Sequence, residues 1–337
     1  MNAIARYLAQ RLEELGAPFT PERPIGSDDQ DTLFRHITSK KFRKWRVRPK
    51  AAGMIRTLVE QAVREERPLR FTFNFGGYKH WSLPTFPRAA WEEFFMLLHY
   101  LSYLRPIAEC HAPGVSLEFL SCDVIIERAN NVAHGFQEQY LSSLRELFAF
   151  FTELFPARLS LKLVRIVPDL YADVAEMHED FEAARHRVMA KLEDRAASKL
   201  DKKLAKSNFN ICWDGKEPWH TLDPEARQRR IHESLILAES IGKVARRERF
   251  DGLGQTIRLF CTPFRYNVAI GTTRASITKF WTGVGVVEQR GERFIPRVLS
   301  PSQYREIEGA LTERPSGLDA LGPAFASVPV LPGALAS

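Results

Sequence analysis

The chain has 337 residues, with 48 Lys and Arg against 41 Asp and Glu, a net charge of +7 and 45% hydrophobic residues. This length predicts one large domain or two ordinary ones, and the composition excludes a disordered or fibrous chain. No stretch approaches the roughly 20 apolar residues of a membrane-spanning helix, and the positive charge favours acidic partners without choosing among them.

The amino terminus and the cysteines predict a cytoplasmic protein without a membrane partner. Residues 1–17 carry charged side chains within their apolar spacing, which argues against a signal peptide. None of the four cysteines belongs to a C-x-x-C pair or has a histidine at zinc-finger spacing. We therefore expect reduced thiols and no metal site. The cysteines are Cys110, Cys122, Cys212 and Cys261.

The first 50 residues predict a helix followed by a basic segment. Apolar residues about four apart predict an amphipathic helix over residues 2–15. From Arg35 to Lys50 there are eight basic residues and no acidic one, with Phe42 and Trp45 among them. Such a run is typical of a solvated face, but it also suits phosphate gripping and base stacking. A basic nucleic-acid-binding protein is therefore one alternative, which the lack of an RRM, KH or helix-turn-helix signature disfavours.

From residue 51 onward, strands alternate with helices. Helices are predicted at 54–63, 91–103 and 140–155, and strands at 69–75, 115–121 and 159–163. This alternation predicts an α/β fold in which a doubly wound, largely parallel sheet is flanked by helices.

The second half predicts a long helical insertion and then more strands. Charged helices are expected at 173–206 and 224–248, which together form an insertion at about 172–248. Short strands at 256–261, 267–271 and 283–288 and a helix at 302–311 follow, so we expect one catalytic domain over residues 51–312. Residues 313–337 are rich in Pro, Ala, Gly and Ser, and we expect them to form a flexible tail.

Polar side chains follow the predicted strands where ligands bind in doubly wound sheets, outside the carboxyl ends. Lys79 and His80 follow the first strand, Asp123 the second, and Asp169 and Tyr171 the third. We expect Lys79, His80, Asp123 and Asp169 to be catalytic, with the carboxylates serving as a general base or amine anchor. For Lys79, composition alone favours an exposed turn, although its position at a strand end narrows the difference, and Asp169 equally suits a cap of the following helix. Asp123 favours function because no helix is apparent for it to cap.

A series of short segments between Leu69 and Ile307 follows a characteristic order. They are Phe75–Lys79, Ala112–Gly114 with the strand into Ser121, Pro168–Tyr171, Ile257–Leu259 with Pro263, Trp281–Val284 and Gly291–Phe294. In order and spacing they resemble the isocyanide (isonitrile) synthase family, which includes enzymes of pyoverdine-type and dityrosine biosynthesis.

The resemblance implies a transferase or lyase of secondary metabolism, for example of a siderophore pathway. Family members convert the amine of an amino acid, typically tyrosine or tryptophan, to an isonitrile. The added carbon comes from the phosphosugar ribulose 5-phosphate, without a metal or organic cofactor. Such a reaction needs cations for phosphate and carboxylate groups. The expected substrate-binding residues are Tyr78, Ser121, Tyr171, Arg258, Arg265, Lys279 and Trp281.

Three departures from the family pattern predict a divergent member. Cys122 occupies the family's aspartate position, and Thr262 and Thr282 replace family histidines. Because two acid–base groups are missing, His80 is a candidate replacement. The departures also leave open another functionalisation of an amino-acid nitrogen, such as N–N bond formation or N-formylation.

Overall fold

The computed structural model describes residues 1–17, 30–43, 45–154, 158–193, 196–244, 256–260, 267–269 and 277–333. Its main sheet has five parallel strands in the order β3-β2-β1-β4-β5. These strands are β1 (Leu69–Phe75), β2 (Val115–Ser121), β3 (Leu159–Val164), β4 (Thr256–Phe260) and β5 (Asn267–Ala269). Every residue of β2 is buried, as expected of a parallel strand that is covered on both faces.

Helices connect and cover these strands, so the predicted α/β fold is confirmed. The described helices of four or more residues in α-helical form are α1 (Ala3–Gly16), α2 (Gln30–Ile37), α3 (Pro49–Arg64), α4 (Trp91–Cys110), α5 (Asp123–Asn130), α6 (His134–Glu153), α7 (Val174–Glu193), α8 (Ala197–Asn210), α9 (Pro224–Val244), α10 (Pro301–Ile307) and α11 (Pro323–Ala326). None of them combines the length and the apolarity needed to cross a membrane.

The predicted insertion forms a helical layer over α5. The single helix expected at 173–206 is instead two helices, α7 and α8, and residues 194–195 between them lie outside the described chain. Both pack against α9, which also contacts α5. The insertion therefore covers the helix that begins at the carboxyl end of β2.

A second sheet forms at the carboxyl-terminal end of the chain. It contains β6 (Val284–Arg290), β7 (Arg293–Leu299), β8 (Thr312–Pro315) and β9 (Ser327–Pro332), in the order β7-β6-β9-β8. Helix α4 contacts both β6 and β7, and it is apolar around most of its circumference because it lies between the two sheets.

The expected flexible tail is wrong for residues 313–333, which form β8, α11 and β9. Phe325 is buried with its ring centroid 5.4 Å from that of Trp91, and the Trp91 indole N–H donates to the Ser327 carbonyl at 2.6 Å. Val328 and Val330 are buried and alternate with the half-buried Pro329 and Leu331. The composition suggested disorder because local propensity does not register the pairing of β9 with β6 and β8.

Removal of the Phe325 ring tests how much the packing of this terminal segment stabilises the protein. Phe325→Ala is expected to lower the free energy of unfolding by about 3–5 kcal/mol, because the lost ring leaves a cavity beside Trp91. Urea unfolding measures the change, and Arg314→Ala on the exposed strand β8 is the control, expected to shift stability by less than about 0.5 kcal/mol. Equal stability of the two variants would show that this end of the chain contributes little.

Candidate functional site

The carboxyl ends of the first three strands meet at one edge of the sheet. Phe75 at the end of β1 is in register with Ser121 at the end of β2, and Leu120 is in register with Val164 at the end of β3. The residues that follow these ends are therefore neighbours. We call this part of the molecule the strand-end site and define it by Tyr78, Ser121, Asp123, Arg165 and Trp281.

Asp123 is the buried carboxylate of the strand-end site. Its Oδ2 accepts a hydrogen bond from Arg165 Nε at 2.5 Å, whereas its buried Oδ1 has no hydrogen-bond partner among the described residues. Arg165 is held in turn by Glu138, with Nη2 and Oε1 2.6 Å apart. One carboxylate oxygen is therefore fixed while the other remains for a proton or an amine.

Burial sets the proton affinity of Asp123. It raises the pKa of the carboxyl group, and the attraction of Arg165 and of nearby backbone amides offsets that rise only in part. A carboxylate with a raised pKa is a stronger base than an ordinary aspartate, so it is better suited to accept a proton near neutral pH.

A close approach of β1 and β2 positions Ser121 beside Asp123. Gly77 has φ +71°, and a Cβ at this position would lie 1.9 Å from Ser121 Oγ. The same hydroxyl accepts a hydrogen bond from the Asp123 amide at 3.3 Å. Glycine is needed here both for its backbone conformation and for the space that it leaves.

Aromatic side chains surround this turn. Tyr78 is buried, and a Cβ at Gly76 would lie 2.5 Å from the Tyr78 ring and 3.1 Å from Trp281 Nε1. Trp281 also packs edge-on against Phe75, with ring centroids 6.1 Å apart. The structure thus brings together three of the predicted substrate-binding residues, Tyr78, Ser121 and Trp281.

Tyr171 and Cys122 lie in the same apolar cluster as Tyr78. The Tyr171 hydroxyl donates to Asp180 Oδ2 at 2.9 Å, so this predicted substrate-binding group is engaged within the protein. Cys122, at the family's aspartate position, is buried, and its pKa is raised to about 12. Its thiol therefore remains protonated and does not replace a carboxylate as a base.

Lys79 lies elsewhere than expected. Its ammonium group is fully buried and contacts Glu92 Oε1 and both oxygens of Glu93, the latter at 2.8 and 2.7 Å. Glu93 also accepts a hydrogen bond from the Tyr140 hydroxyl at 3.1 Å, and Glu92 from the Gly285 amide at 2.9 Å. This placement disfavours the prediction that Lys79 is catalytic, because its ammonium group is already paired with two carboxylates.

We call Lys79, Glu92, Glu93 and Tyr140 the buried ion cluster. It joins the segment after β1 to the first turn of α4, to α6 and, through Gly285, to β6. Two carboxylates face one ammonium group, and burial, partly opposed by Lys79, raises the pKa of Glu93 to about 7. Near neutral pH the cluster can therefore bind one additional proton.

Replacement of Glu93 by glutamine tests whether the pKa of this carboxyl group is raised. In the folded wild type the pKa is about 7, against about 4.3 in an unfolded chain, so the folded state binds more protons between these values. This group should lower wild-type stability as pH rises through that window, by at most about 1.4 kcal/mol per pH unit. In Glu93→Gln this slope is expected to disappear. The difference in unfolding free energy between the wild type and Glu93→Gln, measured by urea unfolding, should therefore change between pH 4.5 and pH 7. A constant difference would place the pKa of Glu93 in its ordinary range.

His80 is also buried, and both of its ring nitrogens are engaged. Nδ1 lies 2.8 Å from Ser82 Oγ, and Nε2 lies 3.1 Å from the Phe209 carbonyl oxygen. The ring stacks on Phe209 with centroids 4.6 Å apart, and burial lowers its pKa. The geometry is that of a histidine that attaches α8 to the segment after β1, and it contradicts the expectation of an available acid–base group.

Asp169 forms a hydrogen bond within its own segment of the chain. It is exposed, and its Oδ2 accepts a hydrogen bond from the Arg165 amide at 2.7 Å, which closes the turn after β3. The alternative, a cap of the following helix, is not what Asp169 forms, because Asp173 Oδ1 accepts the hydrogen bond from the Glu176 amide at the start of α7 at 2.9 Å. For Asp123 the expected lack of a helix to cap is wrong, because α5 begins at this residue. Its unpartnered Oδ1 supports a functional role independently.

The basic residues of the carboxyl-terminal half are only partly described. Arg258 pairs with Thr72 in the sheet, three residues before the end of β1, so it lies within the sheet rather than at its edge. Arg265 and Thr262 lie outside the described residues, as does the side chain of Lys279, whose backbone belongs to a 3₁₀ helix at Ile277–Thr282.

Sequence reasoning missed Arg165, Glu92 and Glu93. Arg165 directly follows β3, so its position at a strand end was a usable signal. The two glutamates begin a long apolar helix, where carboxylates are common for their interaction with the helix dipole, so nothing local distinguishes them. Among the described residues, no group of three or more His, Cys, Asp or Glu side chains is arranged to hold a metal ion.

Comparison with known proteins identifies a shared fold. No protein-family model and no curated protein sequence matches the chain. The structure is similar to the crystal structure of the PvcA protein from Pseudomonas aeruginosa, with a TM-score of 0.54 and 16% sequence identity. The match covers 98% of this chain and 100% of the other. The two proteins thus have a common fold along essentially their whole length.

Proposed function

We propose that the chain is a biosynthetic enzyme that modifies the nitrogen of a free amino acid at the strand-end site. The observation that carries this proposal is the buried Asp123 carboxylate, whose Oδ2 is held by Arg165 and whose Oδ1 has no partner in the described part of the chain. The fold shared with PvcA and the ordered segments that resemble the isocyanide synthase family support it.

The chemistry of an amine explains why this carboxylate suits the reaction. An amino acid carries a protonated amine at neutral pH, and the nitrogen becomes nucleophilic only after it loses a proton. Asp123 Oδ1 would accept a hydrogen bond from the ammonium group and then its proton. Arg165 keeps the carboxylate oriented, and the aromatic rings of Tyr78 and Trp281 supply apolar surface for a substrate side chain.

The specific reaction that we propose is isonitrile formation with ribulose 5-phosphate. The deprotonated amine would attack the sugar's carbonyl carbon, and water would leave as a carbon–nitrogen double bond forms. That carbon becomes the isonitrile carbon once both of its bonds to the neighbouring sugar carbons break, so a one-carbon fragment and a three-carbon fragment that carries the phosphate leave. Lys79 is excluded as the phosphate subsite by its two carboxylate partners, so the phosphate must bind elsewhere.

Mass spectrometry tests the reaction directly. The purified chain is incubated with each free amino acid, with and without ribulose 5-phosphate labelled with ¹³C. We expect one aromatic amino acid to gain a labelled carbon and lose two hydrogens, only when the sugar is present. The Asp123→Asn variant is the control and should yield no such product.

The other products distinguish the alternatives. A gain of one carbon and one oxygen would indicate N-formylation, and a gain of one nitrogen would indicate N–N bond formation. Either result would retain an amino-acid nitrogen as the site of reaction but overturn the isonitrile. If no amino acid changes mass with ribulose 5-phosphate present, the isonitrile reaction is wrong.

A further inference from the structure

A basic cavity lies in the amino-terminal segment. It has a volume of about 560 Å³ and is lined by Lys40, Arg43, Trp45 and Arg46. Three of these side chains are cations, the fourth is an indole, and no acidic residue belongs to the described part of the lining. We call this feature the basic cavity. None of its residues belongs to the strand-end site.

Local contacts hold the cavity walls in place. Arg43 Nε donates to the Thr38 carbonyl at 2.6 Å and its Nη1 donates to the Trp45 carbonyl at 3.3 Å, so one guanidinium group ties both sides of the loop together. The neighbouring Phe42 ring packs against His99 and Tyr103 of α4, with centroids 5.9 and 5.3 Å apart. The loop is thereby attached to the hydrophobic core and the cavity is formed in advance of any ligand.

The charge of the cavity is not neutralised within the described chain. No described carboxylate lies within ion-pair distance of Lys40 or Arg46, whereas Arg56 of α3 is paired with Asp31 at 2.5 Å. Cations held close together without counter-charges repel one another, and a multiply charged anion relieves that repulsion. Lys and Arg are the side chains that hold phosphate groups best.

Trp45 indicates which kind of anion the basic cavity suits. The side chain is half-buried, so it presents part of an indole ring at the wall of a cavity that otherwise carries positive charge. An indole face stacks on a planar base, and every nucleobase has such a face. Ligand pockets in proteins measure about 300–1,000 Å³, so a volume of about 560 Å³ suits one nucleotide rather than a length of nucleic acid.

We propose that the basic cavity binds a free nucleoside polyphosphate, with the base on Trp45 and the phosphates between Lys40, Arg43 and Arg46. This proposal does not depend on the reaction at the strand-end site. A single-stranded nucleic acid carries the same phosphate and base chemistry, and the test below separates the two sources.

Isothermal titration calorimetry at physiological salt compares ATP, inorganic triphosphate and a single-stranded oligonucleotide. We expect ATP to bind, and we expect Lys40→Ala and Arg46→Ala each to weaken its binding about 10- to 100-fold, the effect of losing one charge-assisted hydrogen bond. Trp45→Ala is expected to weaken ATP binding while leaving triphosphate binding unchanged. Trp45→Phe should restore much of the affinity for ATP.

Lys41→Ala is the matched control. Lys41 is exposed in the same segment and lies outside the cavity lining, so this variant loses the same charge without losing a wall residue. The ATP affinity of Lys41→Ala should stay within about twofold of the wild type, because the charge of an exposed side chain outside the lining is screened by salt. Circular dichroism confirms that each variant is folded.

Three outcomes would overturn the proposal. The first is that ATP does not bind. The second is that Lys41→Ala weakens binding as much as Lys40→Ala does, which would indicate general attraction to the basic segment. The third is that the oligonucleotide binds more tightly than ATP with a steep loss of affinity in salt, which would assign the surface to nucleic acid.

Discussion

The Lys79→Met variant is expected to lose about 3–5 kcal/mol of unfolding free energy at neutral pH, a large part of the stability of an ordinary domain. Methionine has a similar length but no charge, so Glu92 and Glu93 would remain buried without their ammonium partner. Because the pKa of Glu93 is raised to about 7, this carboxylate can be neutralised by a proton, and the loss should be greatest above pH 7 and smaller at pH 5. Urea unfolding monitored by circular dichroism measures it.

The matched control for this variant is Lys203→Met. Lys203 also pairs with a carboxylate, that of Glu239, but both side chains are about one-third exposed. Water compensates for the loss of an exposed partner, so this variant should lose less than about 1 kcal/mol. If both methionine variants are equally stable, Lys79 is not a structural ion-pair residue and its availability for an anion has to be reconsidered.

The second large effect concerns Asp123. Asp123→Asn is expected to lower kcat by about 10²- to 10⁴-fold, the usual contribution of a positioned general base. Asparagine has nearly the same shape but cannot accept the proton, so the fold should be retained. Steady-state kinetics on the reactive amino acid measure the change. In the wild type the acid limb of the kcat/KM profile should lie above the ordinary aspartate range, because burial raises the pKa of Asp123.

Asp169→Asn provides the comparison. Asp169 also follows β3 at the carboxyl edge, but it is exposed and hydrogen-bonded to the backbone of Arg165. Its loss is expected to alter kcat by less than about threefold, since an asparagine side-chain oxygen can accept the same hydrogen bond from the Arg165 amide. Comparable losses in both variants would contradict the distinction that the structure makes between the two aspartates, and full activity of Asp123→Asn would place the catalytic base elsewhere.

The contrast between these two aspartates shows how far sequence reasoning extends. Both were found from their positions after predicted strands, because parallel strands end at a common edge. Which of the two aspartates is buried and which is exposed depends on residues distant in sequence. Asp123 contacts Arg165, 42 positions later, only because β2 and β3 pair in parallel register.

The carboxyl-terminal region shows the same limit of sequence reasoning, here for the fold rather than for the site. Its composition predicted a flexible tail, whereas β9 is stabilised by pairing with β6 and β8 and by the packing of Phe325 on Trp91. Propensity describes what a segment does alone, and strand pairing depends on partners that the segment does not contain.

By itself, the sequence determined the α/β class, the edge of the sheet at which polar side chains gather, and the basic segment near the amino terminus. These follow from periodicity and local composition, which act over a few residues. Only the tertiary structure decided that Lys79 and His80 are paired within the protein, and that Asp123 Oδ1 has no hydrogen-bond partner among the described residues. It also decided that four residues of the basic segment line a cavity open to solvent. The physical reason is that burial and pairing set the availability of a charged group, and both depend on contacts between distant parts of the chain.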